Sequence, residues 1–344
     1  MELYICIFFI LALLVQLFKE SRIPLIALII NVLFVACLIA LRGPDVDNDY
    51  HNYVMDFYGR GNISEVSFEW ITASIRFLNG KPIWMFLIYA ILGMILKIVV
   101  LYRYSPLFFL SLLLYYSTSF VLQDMNAIRV GVATGFIYYG LRYWSENNRW
   151  ITFCCILLSI FFHYSCIIFI PMIWLINNDQ REFKWYILLI PLSYVFYSVV
   201  DVISLLSYIN LPYIAMKLKD YQSVEVVFSP FAFIYLLRIF IVIIFFLYAN
   251  TLTIKYSLFP SLFKFYILSI VILISLGSLP VVASRFSEIF LFSELLLLPM
   301  LINEFKEKWI GSLIGIGYAL IYFILYYFIA QYIHSYTMIS WDQL

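Results

Sequence analysis

The chain has 344 residues, of which 65% are hydrophobic and only 12% are charged, with a formal net charge of +1. Soluble domains are about 45–50% apolar and about 25% charged, so this composition excludes a soluble globular protein. The near-zero net charge, without a basic stripe, gives no indication of a nucleic-acid partner. We therefore expect a polytopic membrane protein surrounded by the lipid bilayer.

Apolar runs of about 20 residues recur along the chain and predict an all-α fold with about 12 transmembrane or half-membrane helices. All of them are expected to form a single integral membrane domain, residues 1–344, with two longer external loops at 42–82 and 205–229. Short surface helices are expected in the first loop, around Glu65–Asn79. The predicted helices cover 3–18, 24–41, 83–101, 106–122, 127–144, two legs within 150–177, 185–204, 230–250, 261–281, 285–302 and 309–333.

Lysine and arginine are enriched in short cytoplasmic loops, and this rule assigns an orientation to the helices. With the turn at 19–23 inside, more than half of the 21 basic residues fall on inner turns or inner helix ends, Lys97 among them. Both long loops and both termini then face outward. The assignment requires the apolar stretch 150–177 to leave and return, so we expect two short helices with His163 at their outer tip. Irregular backbone at membrane depth is tolerated where it lines a cavity, which indicates a site near His163.

Polar side chains gather where this topology places the outer membrane boundary. The candidate residues are Arg42, Asp45, Asp49, Tyr50, Tyr53 and Glu69 in the first loop, Gln123, Asn126 and Arg129 at the start of the fifth helix, His163 and Tyr164 at the hairpin tip, and Arg285 and Glu288 on one face of a later helix. Ionisable groups near the membrane are costly and often functional. Taken singly, each also has a structural alternative, such as an arginine anchored at the interface or a carboxylate in a solvated loop.

The combination of these residue types favours glycosyl transfer from a polyprenyl-pyrophosphate-linked sugar to a sugar hydroxyl. Arginine binds phosphate groups through paired hydrogen bonds and keeps its charge, so it suits the growing charge on a leaving pyrophosphate. A neutral imidazole can take a proton from a hydroxyl, which makes His163 the predicted base and Asp45 or Asp49 the alternative base. The alternating carboxylates Asp45, Asp47 and Asp49 leave a metal site as an alternative, but the main prediction contains no metal and no other cofactor.

Several short motifs follow one another in a defined order. They are Arg42-Gly43-x-Asp45 with Asp49-Tyr50-x-x-Tyr53, then Phe68-Glu69-Trp70, then Gln123-x-x-Asn126-x-x-Arg129, then Phe162-His163-Tyr164-Ser165 followed by Pro171, and finally Ser284-Arg285-Phe286. This order resembles the EpsG family of Wzy-like polymerases of bacterial surface polysaccharides, which include O-antigen polymerases. In one departure from the family pattern, Val130 replaces the glutamine that often follows the arginine, and Arg129 itself is in place.

The resemblance implies an enzyme that joins undecaprenyl-pyrophosphate-linked oligosaccharide repeat units on the outer face of the bacterial cytoplasmic (inner) membrane. The growing chain would be the donor, a single lipid-linked unit the acceptor, and a chain-length regulator protein a further partner. The implied architecture is that of GT-C-like glycosyltransferases, which need no nucleotide sugar, with the loop 42–82 on the outer face. By position, the resemblance makes Arg42, Asp45, Arg129, His163 and Arg285 candidate site residues.

Three other functions compete with this interpretation. A membrane O-acyltransferase also has many helices and a membrane histidine, but its acyl donor commonly comes from the cytoplasmic side, whereas His163 is predicted outside. A polysaccharide flippase or transporter is expected to show an internal repeat and a charged path through both leaflets, and the sequence shows no convincing repeat. A signalling or assembly protein would not need three arginines and a histidine at one boundary.

Overall fold

The computed structural model describes residues 1–18, 25–61, 65–146, 148–171, 182–204 and 228–339. Within these ranges the chain is helical and forms no β-strand, which confirms the predicted all-α class. The chain divides into two compact units, Met1–Trp174 with Leu298–Leu344, and Leu175–Leu297. The single-domain organisation stays a prediction, and the second external loop at 205–229 lies almost entirely outside the described residues.

The first unit contains most of the helices. In chain order they are α1 (Glu2–Leu17), α2 (Leu25–Ala40), α3 (Tyr50–Phe57), α4 (Val66–Phe77), α5 (Pro82–Tyr104), α6 (Phe108–Ser117), a π-helix (Phe120–Asn126), α7 (Ile128–Ser145), α8 (Arg149–Phe162) and a 3₁₀-helix (Tyr164–Ile168). The predicted surface helix in the first loop is confirmed as α4. The preceding α3 was not predicted, because it is only eight residues long and lies in a polar loop, although Tyr50, Tyr53 and Phe57 have helical spacing.

The second unit contains α9 (Phe183–Val199), α10 (Phe233–Leu247), α11 (Ala249–Lys255), α12 (Phe259–Ser275), α13 (Pro280–Leu291) and the start of α14 (Glu294–Ile302). The chain returns to the first unit at Leu298, within α14, and continues with α15 (Lys308–Ile324) and a second π-helix (Leu325–Ile329). The prediction of one helix over 285–302 is wrong, because α13 begins at Pro280 and ends before α14. Proline fits this start, since the first residues of a helix have no carbonyl partner for an N–H group.

Two helices of the described chain, or three if a bent pair is counted as one, have the length and composition of membrane spans. Among the described residues, Pro82–Tyr104 and Lys308–Ile329 are long and apolar enough to cross a membrane. The pair α10 and α11 meets the same criterion together but bends by 69° at its junction. Other apolar helices, including α1, α8 and α12, have between 10 and 17 residues. The predicted total of about 12 membrane helices and the GT-C-like architecture stay predictions.

Glycines on α7 allow α5 and α8 to pack closely on either side of it. A Cβ atom at Gly135 would lie 2.8 Å from the Cβ of Leu96 on α5, and one at Gly140 would lie 2.8 Å from the Cβ of Cys155 on α8. Small residues permit such close helix contacts inside membrane proteins. The consequence is that the start of α7 lies beside α5 and beside the end of α8.

The segment after the second π-helix pairs with the start of the first loop. Gly43 N–H donates to the Thr337 carbonyl at 2.8 Å, His334 N–H donates to Val46 at 2.8 Å, and Ile339 N–H donates to Leu41 at 2.9 Å. These bonds form a strap, residues 331–339, across the loop that leaves α2. The strap was not predicted, because short irregular segments carry no periodic signal.

We expect Gly43→Ala to destabilise the first unit, because a Cβ at this position would lie 2.3 Å from Thr337 Oγ1. Overpacking of this kind costs about 1–3 kcal/mol. Thermal unfolding of the purified protein in detergent measures the effect, with Gly317→Ala as the control because a Cβ at Gly317 meets open space. Thr337→Ala in the same chain should restore most of the loss. Equal unfolding temperatures for Gly43→Ala and the wild type would contradict the close contact.

Candidate functional site

One buried carboxylate joins two of the predicted site residues. Glu65 forms an ion pair with Arg129 through Oε2 and Nη1. Its other oxygen, Oε1, lies 3.2 Å from Nδ1 of His163. The side chains of Glu65, Arg129 and His163 are only 9%, 17% and 13% exposed. We refer to these three residues as the Glu65 cluster, in which an anion shielded from water is shared by a guanidinium and an imidazole.

Each member of the cluster lies at the end of a helix. Glu65 precedes α4 with extended backbone angles, Arg129 lies in the first turn of α7, and His163 follows α8 directly. The predicted interruption at His163 is confirmed, because α8 ends at Phe162 and the 3₁₀-helix begins at Tyr164. The predicted second leg of this hairpin lies outside the described residues from residue 172 onward.

The guanidinium of Arg129 packs against a tyrosine ring and has an Nε–H group that can donate a further hydrogen bond. Its Cζ lies 5.7 Å from the centroid of the Tyr53 ring, a cation–π distance. The Nε atom of Arg129 is buried and has no hydrogen-bond acceptor among the residues that the structure describes. A buried N–H without an acceptor is unfavourable, so a bound group that offers an oxygen here would gain a charge-assisted hydrogen bond.

The charge of Glu65 decides which nitrogen of His163 carries hydrogen. Burial raises the pKa of the Glu65 carboxyl, but the hydrogen bond from His163 and the positive charge of Arg129 lower it, and the net pKa lies below its ordinary 4.5. Glu65 is therefore ionised at neutral pH and can only accept hydrogen bonds. His163 must donate through Nδ1–H, which leaves the lone pair of the neutral ring on Nε2.

This lowered pKa predicts a pH-dependent stability difference. A carboxyl with a depressed folded pKa stabilises the fold above its unfolded pKa and loses that contribution as pH falls through the folded value. The unfolding temperature of Glu65→Gln should therefore lie below that of the wild type near pH 7, and the gap should close below about pH 4.5, the ordinary pKa of the group. Thermal unfolding of both proteins across this range measures the gap. A difference in unfolding temperature that stays constant with pH would contradict the ion pair. The control is Glu307→Gln, because Glu307 is exposed.

Arg42 is placed in the core and not in the cluster. It is fully buried, pairs with Asp47, and donates from Nη2 to the Met125 carbonyl at 3.0 Å. Its Cζ lies 4.3 Å from the centroid of the Phe86 ring. These contacts connect the first loop to the π-helix. The proposed contact of Arg42 with a pyrophosphate stays a prediction.

The carboxylates proposed as alternative bases contact other residues of the first loop. Asp45 is 94% exposed and lies 3.7 Å from His51, which is itself 70% exposed. Asp49 precedes α3, and its N–H donates to the Asp47 side chain at 3.0 Å. Among the described residues no group of three or more His, Cys, Asp or Glu side chains is arranged to hold a metal ion.

The other candidates of the first unit fall into two groups. Asn126 and Tyr50 pack inside the unit: Asn126 binds the backbone of Asn48, Val121 and Tyr332, and the ring of Tyr50 stacks on Phe86 with centroids 5.0 Å apart. Gln123 is also buried, whereas Glu69 and Tyr164 have exposed side chains. Their contribution to substrate binding stays a prediction.

Arg285 and Glu288 belong to the second unit. Both lie on α13, three residues apart and therefore on one face of the helix, as predicted. Arg285 is exposed and Glu288 is partly buried. Their proposed contact with the pyrophosphate stays a prediction.

Sequence reasoning missed Glu65 and selected Glu69, which belongs to the Phe-Glu-Trp motif. The two residues are four positions apart at the start of the same surface helix. The available signal was the position of Glu65 at the start of the predicted surface helix, where acidic side chains are common. Which carboxylate faces inward depends on how α4 is rotated against its neighbours, and this rotation is set by tertiary packing.

A family model described as the EpsG family matches residues 25–343 of the chain. The matched range covers nearly the whole chain and includes all three residues of the Glu65 cluster. No curated protein and no solved structure matches the chain. The chain therefore belongs to the EpsG family, and its apolar helices mark it as a membrane protein of polysaccharide biosynthesis.

Proposed function

We propose that this protein is a polysaccharide polymerase that joins undecaprenyl-pyrophosphate-linked oligosaccharide repeat units. The product is O-antigen, capsule or exopolysaccharide, and the reaction takes place on the outer face of the bacterial cytoplasmic membrane. The supporting observation is the Glu65 cluster, in which one ionised carboxylate holds both a histidine and an arginine in a chain of the EpsG family. This pair of side chains matches the two needs of the reaction, a base and a stabilised leaving group.

His163 is the general base in this proposal. The acceptor hydroxyl loses its proton as it attacks, and a neutral imidazole accepts protons near neutral pH. The contact of Nδ1 with Glu65 at 3.2 Å fixes the ring orientation and places the lone pair on Nε2. The negative charge of Glu65 also stabilises the imidazolium that forms, as a carboxylate does for the histidine of hydrolytic triads.

Arg129 stabilises the leaving pyrophosphate. Negative charge grows on the pyrophosphate oxygen as the glycosidic bond breaks, and donors held in place before the reaction stabilise that charge most effectively. The buried Nε–H of Arg129 is such a donor, because Glu65 holds the guanidinium through Nη1 and Tyr53 lies beneath it. Its low exposure strengthens the interaction by excluding water.

The reaction is a single exchange of bonds at the anomeric carbon. The bond between this carbon and the pyrophosphate oxygen of the donor chain breaks, and its electron pair leaves with undecaprenyl pyrophosphate. The acceptor oxygen forms the new glycosidic bond, and its proton moves to Nε2 of His163, which later releases it to water. The proposal needs no nucleotide sugar, metal or other cofactor. The partners are the lipid-linked donor and acceptor in the bilayer, with a chain-length regulator protein as a further partner.

Deletion of the gene and complementation with variants tests the proposal. Gel electrophoresis of the surface polysaccharide should show a ladder with the wild type and with the exposed-site control Glu307→Gln. The variant Glu65→Gln, at equal membrane abundance, should leave the lipid capped with a single repeat unit. A full ladder with Glu65→Gln would overturn the proposed site. Loss of all surface sugar in the deletion strain would favour a flippase, and an unchanged ladder with altered acetylation would favour an O-acyltransferase.

A further inference from the structure

A second buried carboxylate, Asp124 of the π-helix, lies within the first unit and takes no part in the proposed chemistry. Nζ of Lys97 on α5 lies 2.8 Å from Oδ1 and 2.7 Å from Oδ2. The hydroxyl of Tyr115 on α6 donates to Oδ2 at 2.7 Å. The side chain of Lys97 is fully buried and that of Asp124 is 2% exposed. Three elements therefore meet at one fully desolvated carboxylate.

The first turn of α7 rests directly on the same carboxylate. A Cβ atom at Gly131 would lie 2.5 Å from Oδ1 of Asp124, and one at Gly93 on α5 would lie 3.0 Å from it. Neither position has room for a methyl group without displacing the carboxylate. Asp124 cannot move easily, because Lys97 and Tyr115 hold it from the other side. Asp124 therefore lies in close contact with both α5 and the first turn of α7.

The π-helix that carries Asp124 leads straight into this turn. It spans Phe120–Asn126, and only Ala127 separates it from α7, whose second residue is Arg129. π-helical turns are rare and often accompany functional sites. The end of this one is fixed on its other side as well, since Met125 accepts a hydrogen bond from Arg42 at 3.0 Å.

We propose that Lys97 and Asp124 are positioning residues for Arg129. A buried ion pair adds little net stability, because desolvation offsets the attraction, but it permits only a narrow range of geometries. Here the Lys97–Asp124 pair fixes the axial position and the rotation of the first turn of α7. The guanidinium of Arg129 is thereby placed in contact with Glu65. Its effect on catalysis rests on the proposed function, whereas its effect on Arg129 does not.

The test uses the double variant Lys97→Met/Asp124→Leu, which replaces the pair by apolar side chains of similar size. Apolar replacement of a buried pair is often neutral for stability, so thermal unfolding should stay close to that of the wild type. Modification of Arg129 by phenylglyoxal, followed by peptide mass spectrometry, should become about tenfold faster as the guanidinium separates from Glu65. The exposed Arg60 serves as an internal reference whose rate should not change. The polymerisation kcat should fall about tenfold, with a smaller change in KM.

A second variant keeps the test decisive if the double variant does not fold. Gly131→Ala retains both charges but pushes the first turn of α7 away from the carboxylate, so it should also expose Arg129 to phenylglyoxal. Wild-type modification rates at Arg129 in whichever of these variants folds would overturn the positioning role. If the rates rise but no variant, including the wild type, polymerises lipid-linked repeats, then the proposed function fails and the positioning role stands.

Discussion

Replacement of Arg129 by alanine is expected to lower the polymerisation rate by about 10²–10³-fold, the usual effect of removing one donor that stabilises developing negative charge. The variant also leaves Glu65 buried without its cationic partner. Arg129→Lys keeps the charge but removes the Nε–H and the planar guanidinium, so it should recover only part of the rate. The measurement is product length over time with purified protein in nanodiscs and lipid-linked repeat units.

The control for Arg129 is Arg60→Ala, because Arg60 is an exposed residue of the first loop. It should polymerise at the wild-type rate. A rate for Arg129→Ala within about threefold of the wild type would show that the guanidinium takes no part in the transition state, because even one lost donor there costs more than this.

Replacement of His163 by alanine is expected to lower the rate by about 10²–10⁴-fold, the range associated with a general base. Added imidazole should restore part of the activity, because a small base can occupy the space of the missing ring next to Glu65. Rescue by substituted imidazoles of similar size separates a catalytic role from a structural one, since the rate should follow their pKa only if the ring acts as a base.

The matched control for His163 is His334→Ala, because the His334 side chain is exposed and its described contact is a backbone hydrogen bond to Val46. This variant should remain active and should not respond to imidazole. A His163→Ala protein with wild-type activity would remove the base from the mechanism. An inactive His163→Ala protein that imidazole does not rescue would assign His163 a structural role.

The helical class follows from hydropathy alone, because uninterrupted apolar runs leave few alternatives to helices in a membrane. The interruption at His163 was also predictable, since the distribution of basic residues required the chain to turn there. The division between α13 and α14 was not predictable, because no proline or glycine lies at the break between Leu291 and Glu294. The orientation rule also assigned Lys97 to an inner helix end, whereas it is fully buried and bound to Asp124.

The candidate site was predictable in part. Arg129 and His163 were selected from their residue types and boundary positions, and the structure brings them together through Glu65. Arg42 had the same signals, but its guanidinium is bound by Asp47, five residues further along the loop. A sequence does not distinguish an arginine that faces its own loop from one that faces a cavity. This distinction, like that between Glu65 and Glu69, depends on the rotation of short helices and loops. Hydrophobic periodicity does not specify that rotation.

Because Glu65 acts through His163 in the proposed mechanism, the two residues should be coupled in a double-mutant cycle on the polymerisation rate. Glu65→Gln, His163→Gln and the double variant are compared with the wild type at equal amounts of folded protein. Residues that act as a unit are strongly non-additive, so the double variant should be no more than about threefold slower than the slower single variant. Two losses that multiply would instead show that the carboxylate and the imidazole contribute independently, and this result would contradict the proposed mechanism.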